Sequence, residues 1–438
     1  MEAIVLAAGF GRGLEPITHT RPKPLLPLLN RTLLEYHLDN LKVIGGISRV
    51  VVVASYLLDK VEELIRRIES RYPFDVVVVD QGRPLGTAHA LLKGLEASAG
   101  DPLLVIYVDS AYSTDDLTKL AESSGRFVVA AYRVEDPRDY GVLVVSPGGT
   151  LRNLVEKPAV PLSNLVNAGI YRLDHSIGRY LERVELSPRG EYELTDAIRT
   201  VTSEGVPVYV YELSYWRDLG RVWRYLEFCQ ELLRAGVKGS TILGRVEAGV
   251  SIRGPVYVAE GAEVLSGTYI SGPAYIGRNA VVGPNAYLRP GAILLNGARI
   301  GFSVEVKESI VMEGATAAHL AYIGDSVVCE YANLGAGTVL ANLRLDGKEV
   351  KVGVKGVKVP TGRRKLGGFV GGYARLGVNV SVNPGVKVGA YSRVFPGVSV
   401  FEDVPPCTTL LPDGSTRPIP REECGVDLEV WSGASPAR

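Results

Sequence analysis

At 438 residues the chain exceeds what one hydrophobic core usually serves, so two domains are expected. Its 48 basic and 48 acidic residues cancel, so nothing in the net charge argues for a nucleic-acid-binding or anionic-membrane surface, local patches apart. No apolar run approaches the roughly 20 residues needed to span a bilayer. The 50 glycines and 26 prolines point to many tight turns rather than long helices. Met1 leads straight into an apolar run, without the basic region and cleavage site of a signal peptide, so a cytoplasmic protein is expected. The cysteines Cys229, Cys329, Cys407 and Cys424 lack CxxC or metal-finger spacing. They read as free thiols, with a Cys407–Cys424 bridge in the loop-rich tail as the alternative.

Residues 2–7 (EAIVLA) form a first strand, ended by Gly9-Phe10-Gly11-Arg12-Gly13. Thr32 and Glu35 then make a capping box before Leu34, Leu38 and Leu41, which share one helical face. RVVVVA (49–54), a helix to about Arg67, VVVV (76–79), a helix from about Thr87 and LLVIYV (103–108) follow, ending at Asp109. Apolar runs alternating with helices predict a Rossmann-like α/β domain around a mostly parallel sheet covered on both faces. Ligands of such sheets bind outside the carboxyl ends of the strands, which puts the glycine loop, Gln81 and Asp109 on one rim.

Gly9, Gly11 and Gly13 would let backbone N–H groups approach a phosphate, although a glycine turn after a first strand is common. Arg21-Pro22-Lys23-Pro24 adds a lysine held between two prolines. A solvated loop lysine is the bland alternative.

LAAGFGRGLEP followed by RPKPLLP resembles the signature of sugar-1-phosphate nucleotidylyltransferases, G-x-G-T-R-L-x-P with a later PKP. Further elements follow in order: Gln81 with Pro84-Leu85-Gly86-Thr87, Asp109, Tyr140-Gly141, Glu156-Lys157-Pro158, Asn167-Ala168-Gly169 and Trp216-Arg217-Asp218-Leu219-Gly220. The resemblance covers about residues 1–235. It implies attack of a sugar-1-phosphate oxygen on the α-phosphorus of UTP or dTTP, with release of pyrophosphate. That chemistry needs positioning and charge neutralisation rather than a covalent residue. By the same resemblance Asp109 and Asp218 hold Mg²⁺, and Lys23 and Arg12 stabilise the transferring phosphate. Gly9, Gly11, Gln81, Gly86 and Thr87 bind the nucleotide. Gly141, Glu156 and Asn167 contact the sugar, with Lys157 at its phosphate. The chain departs from the family at Gly13, where the catalytic arginine is expected, and at Val108, where a small residue is common.

From Ile252 a six-residue period takes over. Positions 252, 258, 264, 270, 276, 282, 288, 294, 300, 306 and 312 read Ile, Val, Val, Ile, Ile, Val, Leu, Leu, Ile, Val and Met. Small or apolar residues recur four places after each. A second phase runs from Val370 to Val400. Six-residue repeats predict a parallel β-helix, with the periodic residues stacked inside. Residues 223–233 read as the helix leading into it. The expected domains are 1–220 (nucleotidyltransferase), a connecting helix and linker over 221–240, the β-helix over 241–404 and an irregular tail over 405–438.

A β-helix can be a mere stem, and a lone histidine is usually structural. The interruption AHLAYIGDSVVCEYANLGAGTVLANLRLDGKEV (318–350), with Arg289-Pro290-Gly291 and Val304-Glu305-Val306-Lys307 before it, closely resembles the acetyltransferase half of the bifunctional family that makes UDP-N-acetylglucosamine. The resemblance implies left-handed coils, a homotrimer and acetyl transfer from acetyl-CoA to glucosamine- or galactosamine-1-phosphate. A protonated amine must lose a proton before it attacks a thioester, and His319 matches the base. Arg289 and Lys307 match the pair that grips the sugar phosphate. Tyr322 and Asn333 match amino-sugar contacts, with Asn342 and Lys348 near the reaction centre. Ala336 and Asn342 fall where the family binds acetyl-CoA. A basic insertion over 350–368 departs from the bacterial pattern, and its Arg363, Arg364 and Lys365 either meet CoA phosphates or are simply exposed. Two other readings stand beside the bifunctional enzyme: a nucleotidylyltransferase with an oligomerising β-helix, and a non-catalytic scaffold.

Overall fold

The computed structural model describes residues 1–431 and forms two compact units. One comprises Met1–Phe10, Pro22–Leu26 and Thr32–Leu219, the other Gly11–Arg21, Pro27–Arg31 and Gly220 onward.

The first unit is built on a nine-stranded sheet. Glu2–Leu6 lies parallel between Arg49–Ala54 and Leu103–Tyr107, and Asp75–Asp80 extends the row. Every residue of Glu2–Leu6 is buried, as a strand covered on both faces requires. Beyond Asp109 the expectation of a mostly parallel sheet fails. Leu165–Leu173 runs antiparallel to Leu103–Tyr107, and Gly141–Val145 forms a hairpin with Leu151–Glu156. For the hairpin the reason is local: Ser146 to Thr150 closes a tight turn, too short for the helical crossover that parallel pairing needs. The capping box forms as read. Thr32 Oγ1 accepts from the Glu35 N–H at 3.2 Å, and Glu35 Oε2 accepts from the Thr32 N–H at 2.8 Å. Leu34, Leu38 and Leu41 of the helix Leu33–Ile44 are fully buried.

In the second unit three parallel sheets wrap one apolar core, the left-handed parallel β-helix. Strand partners such as Val264 and Val282, or Ile270 and Leu288, are 18 residues apart, three six-residue faces per coil. Two successive coils are each a residue shorter. Leu294 pairs with Val311, not with Met312, and Val311 pairs with Val328, so the strict period slips after Val306 and again after Ile323. Leu340 pairs with Val382, 42 residues on, so one coil carries 24 extra residues (42 − 18). Part of that insertion is a hairpin, Lys351–Val354 with Val357–Pro360. Its turn, Lys355-Gly356, has φ of 49° and 79°, the left-handed pair a two-residue hairpin favours.

The helix Val222–Gly236 packs within this unit, where Gln230 Nε2 donates to the Gly291 carbonyl at 2.8 Å. The segment Gly11–Arg21 is held there too: Arg21 Nη2 lies 2.9 Å from Glu313 Oε2, and Lys387 Nζ lies 3.2 Å from Glu15 Oε2. Two readings of the tail need correction. It is not irregular throughout, because Thr408–Leu410 pairs with the last coil and forms a hairpin with Thr416–Pro418. Cys407 and Cys424 are not free thiols but a disulfide that staples this hairpin to the turn after it. Cys229 and Cys329 are free and buried. Residues 432–438 of the tail lie outside the described residues.

Candidate functional site

In the first unit the strand Leu103–Tyr107 delivers Asp109 to the rim beside Lys23, which sits in the short turn Lys23–Leu25. Lys23 Nζ and Asp109 Oδ2 are 2.7 Å apart. A Cβ on Gly9 would lie 3.6 Å from Lys23 Nζ, so the glycine lets the chain pass close to the ammonium. Burial works to raise the Asp109 pKa, but the charge and hydrogen bond of Lys23 outweigh it and hold the carboxyl below its ordinary value. Asp218 arrives from 109 residues downstream. The strand Trp216–Asp218 pairs antiparallel with Ser110–Tyr112, setting Asp218 opposite Ser110, and the Leu219 N–H donates to the Asp109 carbonyl at 2.8 Å. The backbones that carry the two carboxylates are thus adjacent. Hard oxygen donors of this kind suit Mg²⁺, which takes one or two carboxylates and completes its shell with water and phosphate.

A buried histidine braces this corner. His37 Nε2 lies 2.8 Å from the Val108 carbonyl and Nδ1 lies 2.9 Å from Tyr112 Oη. Burial drives its pKa down to about 4, against the opposing pull of the Val108 carbonyl and Asp109. The ring is therefore neutral, its Nε2–H donating to Val108, and the Val108 carbonyl is fixed in place one residue before Asp109.

The remaining candidates of this unit form two further groups. Gln81 Nε2 donates to the Gly86 carbonyl at 3.1 Å and lies 3.1 Å from His89 Nδ1. Gly86 has φ 119°, and a Cβ there would sit 2.5 Å from the Tyr192 carbonyl oxygen, so packing as well as any ligand demands glycine. Thr87 Oγ1 accepts from the Leu194 N–H at 2.9 Å. In the second group Gly141 faces Glu156 across the hairpin, and Asn167 Nδ2 donates to Tyr171 Oη at 2.6 Å. Arg189, not singled out in the sequence, joins it at 3.2 Å from Glu156 Oε1. Lys157 is exposed at φ 43°.

Gly11 and Arg12 lie in the second unit. Gly11 has φ 76° and its carbonyl accepts from the Leu14 N–H at 2.8 Å. Arg12 Nη2 donates to the Val430 carbonyl at 3.1 Å.

The β-helix brings its own candidates together by register. Leu288 pairs with Val306, so Arg289 and Lys307 occupy the same place on successive coils. Glu305 pairs with Tyr322 on the same face. Arg289 Nη1 contacts Glu305 Oε1 at 2.8 Å, and Lys307 Nζ contacts Asp325 Oδ2 at 2.9 Å. Asn342 Nδ2 donates to the same Asp325 oxygen at 2.5 Å. Burial raises the Tyr322 pKa, and the Glu305 and Asp325 charges add to the rise, so the phenol stays protonated. His319 ends the strand Thr316–His319 one corner earlier, exposed, with its carbonyl accepting from the Gly337 N–H at 3.3 Å. That bond sets His319 against the turn that carries Ala336. Asn333 pairs with Thr316 and is exposed.

Asp325 is the residue that sequence reasoning left unassigned. It lies within the HLAYIGD motif, yet only the structure shows a carboxylate 2% exposed at the centre of Lys307, Asn342 and Arg363. Arg363 comes from the insertion: it lies 3.4 Å from Asp325 Oδ1 and 3.2 Å from Glu227 Oε1, turned inward instead of standing exposed. Lys348 is exposed on its own loop, its N–H donating to Asp346 Oδ1 at 3.1 Å.

A Rossmann-like nucleotidyltransferase sheet carrying a rim of lysine and carboxylates, followed by a β-helix with its own polar cluster, defines the class. The family model described as nucleotidyl transferase matches residues 2–235, and that of the GMPPB C-terminal domain matches residues 270–359. A bifunctional sugar-1-phosphate nucleotidylyltransferase/acetyltransferase of Sulfurisphaera tokodaii is 45% identical over 92% of this chain and 98% of its own length. Proteins named bifunctional protein GlmU from Methanocaldococcus jannaschii and Methanococcus aeolicus are 37% and 36% identical, over 89% and 92% of this chain and 92% and 95% of theirs. The chain belongs to this family of bifunctional nucleotidylyltransferase/acetyltransferases.

Proposed function

We propose that the chain acetylates glucosamine-1-phosphate or galactosamine-1-phosphate from acetyl-CoA, and transfers a nucleotidyl group from UTP or dTTP to a sugar-1-phosphate. The observation that carries the reading is the cluster around Asp325, where Lys307 and Asn342 are held at 2.9 and 2.5 Å, with Tyr322 and Arg289 near them. A mere stem has no use for a buried, saturated carboxylate on that face.

In the acetyl half, Arg289 and Lys307 bind the phosphate as two cations on successive coils. Tyr322 and Asn333 orient the amino sugar, and Asn342 and Lys348 lie at the reaction centre. His319 takes a proton from the ammonium. The freed amine attacks the thioester carbonyl, the carbon–sulfur bond breaks with its electron pair going to sulfur, and the second proton of the nitrogen passes to that sulfur, so CoA leaves as the thiol. Ala336 and Asn342 line the acetyl-CoA groove, which a neighbouring subunit completes in a homotrimer.

In the nucleotidyl half, Asp109 and Asp218 would hold Mg²⁺, which supplies charge neutralisation on the phosphates when bound. Lys23 and Arg12 bear on the transferring phosphate. Gly9, Gly11, Gln81, Gly86 and Thr87 bind the nucleotide, while Gly141, Glu156, Asn167 and Lys157 hold the sugar phosphate. Acetyl-CoA and nucleoside triphosphates are cytoplasmic metabolites, and no helix among the described residues is long and apolar enough to cross a membrane. The reaction belongs in the cytoplasm, with small molecules rather than nucleic acid as partners.

Assaying the half-reactions separately tests this. CoA release with glucosamine-1-phosphate and pyrophosphate release with UTP or dTTP plus a sugar-1-phosphate are both expected. Absence of either removes that half of the reading.

A further inference from the structure

We propose that the acetyl site of the β-helix also takes an amino sugar that already carries a nucleoside diphosphate, with the nucleotide lying along Arg253, Tyr269 and Tyr287; this rests on the acetyl half of the reading above. These residues share the face that carries the phosphate pair. Tyr269 pairs with Tyr287, Tyr287 with Glu305 and Glu305 with Tyr322, one coil at each step. Arg253 pairs with Ser271, and the next coil sets Leu288 opposite Ile270, so Arg289 stands two coils beyond Arg253. At about 4.8 Å per coil the backbones of the two arginines are about 10 Å apart.

The strip between them suits a ligand longer than a sugar phosphate. It is continuous: Tyr287 lies near Arg289 and is 38% exposed, and the Tyr269 and Tyr287 rings meet edge to face at 5.4 Å. It ends in a cation, because the Arg253 guanidinium lies 5.7 Å from the centre of the Tyr269 ring, which belongs to the next coil toward Arg289. Arg289 and Lys307 each face a carboxylate, Glu305 and Asp325. Exposed Arg253 makes no ion pair among the described residues. Ser271, in register between the arginines, puts no bulky side chain in the way.

A nucleotide needs such groups. Its flat base stacks against aromatic rings, and a guanidinium takes a second phosphate through paired N–H donors. With the first phosphate on Arg289 and Lys307, the amino sugar extends toward Tyr322 and the nucleotide extends the opposite way along the coils. The amine keeps its distance from that first phosphate, so the chemistry is the same for either substrate. His319 takes one proton from the ammonium, and the nitrogen bonds to the acetyl carbon. The carbon–sulfur bond breaks with its electron pair going to sulfur, and a second nitrogen proton passes to that sulfur. Acetyl transfer can then follow nucleotidyl transfer as well as precede it.

The test gives the full-length protein acetyl-CoA with either glucosamine-1-phosphate or UDP-glucosamine, and repeats both with the galactosamine forms. EDTA is present and pyrophosphate is left out, so the nucleotidyl half cannot interconvert the substrates. CoA release is followed, and the product is identified by mass spectrometry. Both substrates are expected to react, UDP-glucosamine giving the N-acetylated nucleotide sugar. Tyr269→Ala and Arg253→Ser should each lower kcat/KM for UDP-glucosamine about tenfold, mainly through KM, as loss of one stacking or phosphate contact does. Each should leave the glucosamine-1-phosphate reaction within about twofold of wild type, well short of a lost contact. CoA release with the sugar phosphates alone would overturn the inference. So would variants that slow both substrates alike, which marks a structural role, or that slow neither. Release with no amino sugar at all overturns the acetyl reading itself.

Discussion

The two units assemble their polar clusters by different means. In the α/β unit, Lys23, Asp109 and Asp218 come from three distant parts of the chain, brought to one rim by sheet topology. In the β-helix, Arg289 and Lys307 are one coil apart, as are Glu305 and Tyr322, so the repeat itself places them. A sheet rim depends on every crossover being right, whereas a coil register needs only correct stacking of its neighbours. Damage should accordingly stay local in the β-helix and stay confined to one reaction in each unit.

The sharpest cut through that comparison is His319→Ala. It is expected to lower CoA release by about 10³ or more, as loss of a positioned base does, with pyrophosphate release unchanged. Retained CoA release would end the role of His319. The reciprocal cut is Asp109→Asn, expected to slow pyrophosphate release by about 10²–10³ and leave acetyl transfer intact. Should both activities fall together, the separation of the two units is wrong.

A milder change probes the coil cluster. Asp325→Asn leaves Lys307 and Arg363 beside a neutral amide in a buried place, and about 3 kcal/mol of stability should be lost in urea unfolding. KM for the amino-sugar phosphate is expected to rise more than kcat falls. An unchanged unfolding midpoint would show that Asp325 does not hold the cluster.

The smallest expected effect is on acid stability, and each unit carries one reporter. Burial depresses the pKa of His37 to about 4, and burial together with the Lys387 charge depresses that of His19 to about 3. Both are neutral when folded and gain a proton near 6.5 when unfolded. Their contribution is full above pH 6.5 and is lost as pH falls through the window toward 4 and 3. Between pH 7.5 and pH 5 this amounts to about 2 kcal/mol for each histidine. His37→Gln should flatten the pH dependence of unfolding for the first unit; an unchanged slope would mean that His37 already takes a proton in the folded state.

The fold was largely legible because its signals are periodic or local. The six-residue stack, the Thr32 capping box and the apolar runs before Asp80 and Asp109 need no distant partner to be read. The slips after Val306 and Ile323 and the antiparallel strands after Asp109 were not legible. The slips are set by the lengths of two individual turns, the antiparallel pairing by a strand that returns against its neighbour. The bridge Cys407–Cys424 was one of two open choices, and only the approach of the two backbones across the tail hairpin decides it.

By itself the amino-acid sequence determined the two architectures, the order of the motifs and most residues of the two candidate sites, since each depends on spacing along the chain. Tertiary structure alone decided what those residues touch. It put Asp218 opposite Ser110, buried Asp325 among three donors and drew Arg363 inward from the insertion. Such contacts join residues that are remote in the chain, and their energy depends on burial and on which charge arrives opposite. Neither quantity is written in local pattern.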